Sequence, residues 1–331
     1  MNVICGILLA MFGMVPDSTS VTVLVADGDT GEPVEGARVE IAFTPGVAKD
    51  GTTCGGVRIR KTNARGMCKG SGTAASTYVS IHAEKAGFYP SEWRAALLPG
   101  EDGREHTEFS VVTVAIRRVE HPIPLFVAAE PNRRPADIFG KGTNTLEFDM
   151  MEGDYLPPVG KGKTADIVFT REPCELLGEV NGIDWGVKKL TKDSVRIRFP
   201  NAGDGIVSLP PTSASELIIR MAPESGYRPD YLACRTRNES GVVKSWEADP
   251  NLCFRIRTKF DAEGSVVSAI YGKIYGGIRF EHDYSERKIG EPRVGRMRFM
   301  YYLNPKLMDR NLEYNFGNNL NKSGNPVIQR P

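Results

Sequence analysis

From Ser20 onward the chain alternates in steps of two. Val21-Thr22-Val23-Leu24-Val25 is a β-branched run, and Asp27-Gly28-Asp29-Thr30-Gly31-Glu32-Pro33 is dense in turn formers. Ala37-Arg38-Val39-Glu40-Ile41-Ala42-Phe43 then sets small or apolar residues against polar ones. Such alternation buries one face of an antiparallel sheet and leaves the other to water. The same rhythm predicts strands over 56–61, 77–83 and 109–117, and later over 165–170, 194–199, 216–221, 252–260, 266–275 and 296–303. Phe254, Ile256, Thr258 and Phe260 alternate with Arg255, Arg257 and Lys259, and Asp261-Ala262-Glu263-Gly264 turns that strand into the next as a hairpin. Tyr301 and Tyr302 point to opposite sides of their strand, so one of the two is expected in a core. Helical periodicity is nowhere sustained for three turns. The expected class is all-β, with two successive sandwiches.

His121-Pro122-Ile123-Pro124-Leu125-Phe126 opens a Pro-rich stretch running through Arg133-Arg134-Pro135, which reads as an extended connector. The expected organisation is a first domain over 20–118, the connector over 119–143, a second domain over 144–314 and a flexible Asn/Gly-rich tail over 315–331. Asp27-x-x-Thr30-Gly31-x-Pro33-Val34-x-Gly36-Ala37-x-Val39 resembles the opening of carboxypeptidase-regulatory-like domains. Thr62-Asn63-x-x-Gly66 is similar to that family's Thr-Asp-x-x-Gly turn, and Lys85-Ala86-Gly87-Phe88-Tyr89 to its Lys-x-Gly-Tyr strand end. The resemblance covers residues 20–118. It implies a transthyretin-like, Ig-like seven-stranded β-sandwich that serves as a non-catalytic appendage. Beyond it, Pro158-Val159-Gly160-Lys161-Gly162-Lys163-Thr164-Ala165-Asp166, Tyr271-Gly272-Lys273-Ile274-Tyr275-Gly276 and Tyr302-Leu303-Asn304-Pro305 resemble a family of uncharacterised secreted bacterial proteins, which implies no activity. The second domain is expected to be an antiparallel, jelly-roll-like sandwich.

The apolar run from Val3 to Val15 is too short to span a bilayer as a helix and fits the core of a signal peptide over residues 1–19. No Lys or Arg precedes it, and Ser18-Thr19-Ser20 is the best cleavage site. A secreted, periplasmic or cell-surface protein without a membrane span after signal removal is therefore expected. In an oxidising compartment Cys54–Cys68 and Cys234–Cys253 are the local pairings, with Cys174 left over; buried reduced thiols are the alternative. Lys+Arg of 42 against Asp+Glu of 41 gives a net charge of +1, which argues against a nucleic-acid partner or a polybasic membrane clamp.

Motifs for catalysis fall short. Gly162-Lys163-Thr164 lacks the glycine five positions upstream that a phosphate loop needs, where Pro157 stands, and β-type Asp166-Ile167-Val168-Phe169 follows it. His82, His106, His121 and His282 show no paired metal-ligand spacing, and there is no Gly-x-Ser-x-Gly elbow. Asp27, Asp29 and Glu32 lack the further ligands of a calcium loop and read as turn formers. No cofactor or metal is expected.

Two features remain as candidate binding residues. Glu281, Asp283 and Tyr284 flank His282 after an apolar strand, and Trp185 stands in a Gly-bounded turn where an exposed ring could stack on a sugar. Burial is the default reading for Trp93, Trp185 and Trp246 alike, and Trp185 is the best candidate for exposure. The preferred function is a secreted, non-catalytic β-sandwich protein with a structural, adhesion or binding role at the cell surface, its partner a surface protein or a glycan. The alternative is a carbohydrate-binding or carbohydrate-processing protein with its site in the second domain, and a further reading is a subunit of a fibre or layer.

Overall fold

A computed structural model describes residues 19–47, 53–73, 78–99, 105–107, 111–129, 144–173, 175–182, 186–209, 219–237, 243–244, 251–282 and 295–321. All regular secondary structure among the described residues is β, as expected. The chain forms two compact units that meet in sequence between Val119 and Glu120.

The first unit holds β1 (Thr19–Asp27), β2 (Arg38–Val47), β3 (Thr53–Lys61), β4 (Met67–Gly72), β5 (Tyr78–Glu84), β6 (Ser91–Pro99), β7 (Glu105–Thr107) and β8 (Val112–Ile116). They make a three-stranded sheet, β4-β1-β8, with β1 and β8 parallel, and a five-stranded sheet, β3-β2-β5-β6-β7. Alternation decides what lies between them. Val21, Val23 and Val25 of β1, Val39, Ile41 and Phe43 of β2, Val79 and Ile81 of β5, and Val112, Val114 and Ile116 of β8 share one core. The turn motifs seen in the sequence are turns here. The Asn63 side chain accepts from the N–H groups of Arg65 and Met67 at 2.9 and 3.0 Å. Gly66 closes that turn at φ +70°, and a Cβ there would stand 2.6 Å from the Val25 carbonyl oxygen, so only glycine fits. On the core side of β3, Arg58 and Arg60 reach across to donate to the Ser71 and Lys69 carbonyls of β4, covering the open edge of the smaller sheet.

The second unit holds β9 (Ile123–Ala129), β10 (Thr145–Asp149), β11 (Asp154–Tyr155), β12 (Ile167–Arg171), β13 (Glu175–Gly182), β14 (Gly186–Arg198), β15 (Gly205–Ser208), β16 (Asp230–Arg237), β17 (Val243–Lys244), β18 (Asn251–Phe260), β19 (Val266–His282), β20 (Gly295–Asn304) and β21 (Tyr314–Asn319). One sheet runs β11-β10-β12-β14-β16-β17, with β13 also on β14; the other runs β15-β18-β19-β20-β9-β21. Between them lies an aromatic core. Phe148 stands edge-on to Tyr155 and Phe299 at 5.1 and 5.4 Å, and Phe299 stacks on Tyr301 at 5.8 Å.

Three sequence expectations change. The stretch read as a connector contributes β9, which sits between β20 and β21. Its antiparallel pairing with β20 involves residues 126–129, so the Pro124 nitrogen, which has no proton to give, stands outside it. The tail read as flexible begins with a strand: the Asn319 side-chain amide accepts from Val127 N–H at 2.9 Å and donates to Val127 C=O at 3.0 Å, in place of a backbone neighbour. The strand expected over 216–221 is not formed within its described part; Met221 makes an isolated bridge with Asn311, and Ile219 and Ala222 pack as a strap on the six-stranded sheet. Tyr301 and Tyr302 are both fully buried because this sheet is covered on both faces: Tyr301 lies in the main core, and Tyr302 packs with Leu125, Val127 and Tyr314 on the other side.

Candidate functional site

The densest described polar constellation ties together the ends of β10, β12 and β18. Asp149 ends β10, Asp166 precedes β12, and the segment between them carries the Gly160-Lys161-Gly162-Lys163-Thr164 sequence. Asp149 Oδ1 accepts from Met151 N–H at 2.9 Å and Glu152 N–H at 3.1 Å, while Oδ2 accepts from the N–H groups of Lys163 and Thr164 at 3.0 Å each. Asp154 Oδ2 accepts from Lys161 N–H, and Tyr155 C=O accepts from Gly162 N–H. The amides that a phosphate loop would offer are thus turned inward onto the chain's own oxygens.

Arg257 reaches this loop from the other sheet. It lies at a bulge of β18, with φ of +55°, a strained conformation for a side chain of its size. Asp204 holds that bulge, accepting from the N–H groups of Arg257 and Thr258 at 2.8 Å each. The guanidinium donates to Asp166 Oδ1 at 2.9 Å and Oδ2 at 3.0 Å, and to Asp149 Oδ1 at 2.8 Å. Both carboxylates are buried. Burial raises the pKa of Asp149, but the N–H groups of Lys163, Glu152 and Thr164 and the Arg257 charge outweigh it and hold the group below its ordinary value. For Asp166, more deeply desolvated, burial wins and the value is raised. The oxygens are spent on donors already present, so the arrangement braces one sheet against the other.

A second constellation lies on the outer face of the six-stranded sheet. Lys273 is fully buried on β19, directly opposite Cys253 of β18 and Tyr302 of β20. Its Nζ donates to Ile219 C=O at 3.1 Å and sits 5.2 Å from the centre of the Tyr302 ring. Burial depresses its pKa to about 7 against the opposing pull of Cys253 and Glu313, and burial pushes the Cys253 thiol up to about 12. Nearby, Glu313 accepts from the N–H groups of Glu120 and His121 at 2.7 and 2.6 Å. The signal in the sequence was present: Lys273 occupies an alternating position flanked by Gly272 and Ile274, but nothing there said that its face is covered.

The residues expected to bind a ligand are not brought together by what is described. Trp185, Asp283 and Tyr284 lie outside the described residues; Glu281 is described as backbone alone, paired with Arg296 in β19–β20. Trp246 is outside too, and Trp93 packs half-buried against the first core. The expected cysteine pairs fare differently. Cys234 and Cys253 are free thiols on the outward faces of opposite sheets, since their neighbours Ala233 and Leu252 face the shared core. Two packed sheets, about 10 Å apart, separate them. Cys68 is likewise a free thiol, while the Cys54 side chain lies outside the described residues. His82 stands 3.7 Å from Glu84 and 3.8 Å from Glu92 on the exterior. Asp27, weighed as a calcium ligand, instead takes the Asp29 N–H at 3.0 Å and Arg118 Nε at 2.7 Å. Among the described residues no group of three or more His, Cys, Asp or Glu could hold a metal ion.

No protein-family model matches the chain, and no curated protein does either. Among solved structures it is similar to dioxygenase Tetur07g02040 (10% identity, 33% of this chain and 85% of that one, TM-score 0.23). It is also similar to a streptococcal ancillary pilin (16%, 58% of this chain and 56% of that one, TM-score 0.19) and to BcpA, the major pilin subunit of Bacillus cereus (11%, 85% and 95%, TM-score 0.19). At these TM-scores the likenesses carry no argument about function. No helix among the described residues is long and apolar enough to cross a membrane.

Proposed function

We propose that this chain is a secreted, non-catalytic β-sandwich protein with a structural, adhesion or binding role at the cell surface. The observation that supports it most is the use made of buried polar groups. Asp149, Asp166, Asp204 and Glu313 each give their oxygens to backbone N–H groups or to Arg257, and so act as scaffold. The apolar run from Val3 to Val15 supplies the export route in this reading, and residues 20–118 act as a carboxypeptidase-regulatory-like appendage.

The test is protease shaving of intact producing cells. Loss of the chain while cytosolic proteins are spared supports the surface role; protection until the cells are lysed overturns it. A glycan array probed with residues 20–331, with Trp185→Ala as control, then sorts the partners. Binding that the variant loses assigns a sugar ligand, and silence from folded protein directs the search to protein partners.

A further inference from the structure

An amine with no access to water is stable as a neutral group and costly as a cation. Lys273 is such an amine, fully buried, and the segment that accepts its hydrogen bond is short. Residues 219–222 cross the outer face of the six-stranded sheet, held by the N–H of Leu312 on Arg220 C=O at 2.6 Å, the N–H of Ala222 on Arg310 C=O at 2.9 Å and the Lys273 bond to Ile219 C=O. Ile219 and Ala222 lie over Cys253, Ala269, Tyr271 and Leu312 in a small apolar layer separate from the main core. We propose that this strap is a pH-dependent cover: closed over neutral Lys273 in alkaline solution, and progressively released as Lys273 takes up a proton. The proposal concerns the second sandwich itself and stands apart from the surface role.

The sign follows from the two states of the strap. Open, Lys273 meets water and has the ordinary lysine pKa of about 10.4. Closed, its pKa is depressed to about 7. The open form therefore binds more protons throughout that window, and closure weakens as pH falls through it. Cys253 from β18 and Tyr302 from β20 face the amine directly, Tyr271 precedes it on the same face of β19, and Tyr227 contacts Tyr271 from beyond the strap. Burial raises the pKa values of Cys253 and Tyr227, which favours their uncharged forms across the window. Glu313, near β21, favours the charged amine and limits the effect. Arg220, on the strap, is paired with Glu120 at 3.4 Å, and Arg310 with Glu224 at 2.8 Å; arginine keeps its charge across this range, so neither anchor is pH-dependent.

Cys253 lies beneath the strap and reports its opening. The full chain would be alkylated with iodoacetamide between pH 7 and 9, and Cys253 followed by peptide mass spectrometry. Its rate is expressed relative to the same cysteine in denatured chain at each pH, which cancels the thiolate fraction. The expected ratio rises up to about tenfold for each unit of falling pH in the native sequence and is flat in Lys273→Met. A flat ratio in the native sequence overturns the proposal, as does an unchanged slope in Lys273→Met. Should that variant not fold, hydrogen exchange of the native chain decides. Selective loss of protection at the Leu312 amide on lowering pH, with the β18 amides retained, supports a local cover; parallel loss at both, or at neither, overturns it.

Discussion

The interior of the first sandwich is Val, Ile, Ala and Leu97 with Phe43 as its largest fully buried side chain. That of the second is an aromatic cluster bordered by two buried aspartates and an arginine. The difference tracks the connections. In two described connections of the first unit a single uncharged side chain suffices: Asn63 fastens its own turn, and Thr62, 25 positions beyond Ala37 along the chain, accepts from Ala37 N–H and donates to Val34 C=O. The second must fold back the stretch between β10 and β12, where, outside the short β11, the amides of Met150, Met151, Glu152, Lys163 and Thr164 have no ladder partner. Buried carboxylates satisfy them, and Arg257 then compensates the charge.

The comparison breaks most sharply at Arg257. Arg257→Ala leaves Asp149 and Asp166 buried without their cation and is expected to cost the second sandwich about 3–5 kcal/mol in urea unfolding. Hydrogen exchange in β1, β2 and β5 should be unchanged. Next comes Gly272→Ala, because a Cβ there would lie 2.1 Å from Phe254 Cζ and 2.6 Å from the Tyr302 carbonyl oxygen. The expected loss is about 1–3 kcal/mol. Gly70→Ala, whose nearest neighbour is the mobile end of Ile41 at 2.8 Å, should cost less; equal losses would mean the two cores are equally tight.

In the first sandwich, Thr62→Val removes a buried acceptor and donor together and should lower its stability by about 1–2 kcal/mol, leaving the second transition in place. The smallest effect concerns acid. Asp149 titrates below its ordinary value when folded, so its contribution is present above about pH 4 and is lost as pH falls through the folded value. Asp166, raised by burial, works in the opposite sense. Asp149→Asn should therefore flatten the acid side of the second sandwich's stability curve, and an unaltered curve would assign that limb elsewhere.

Strands with regular alternation are legible in the amino-acid pattern alone: β1, β2, β12, β18 and β20 each coincide with an expected run. β4 is not, because Met67-Cys68-Lys69-Gly70-Ser71-Gly72 carries glycines where Ile41 and Phe43 of the facing sheet fill the space. β9 is hidden by Pro124 and the preceding Pro122, and β21 by Asn and Gly that suggest a tail. The brace is invisible for a different reason: Arg257 meets carboxylates 91 and 108 positions away, a separation that no local pattern encodes. The candidate ligand residues stand out by composition in turns, where one sequence carries little information about mutual position.

The place of β9 has a consequence for synthesis. It is the first strand of the second sandwich to leave the ribosome, yet its partners are β20 and β21, and Val127 bonds to a side chain 192 positions later. The six-stranded sheet therefore cannot close until the chain through Asn319 is available, whereas the first sandwich needs only the strands up to Ile116. Until then β9 travels as an unpaired apolar strand. The nascent second unit is accordingly the part of this chain most in need of a chaperone.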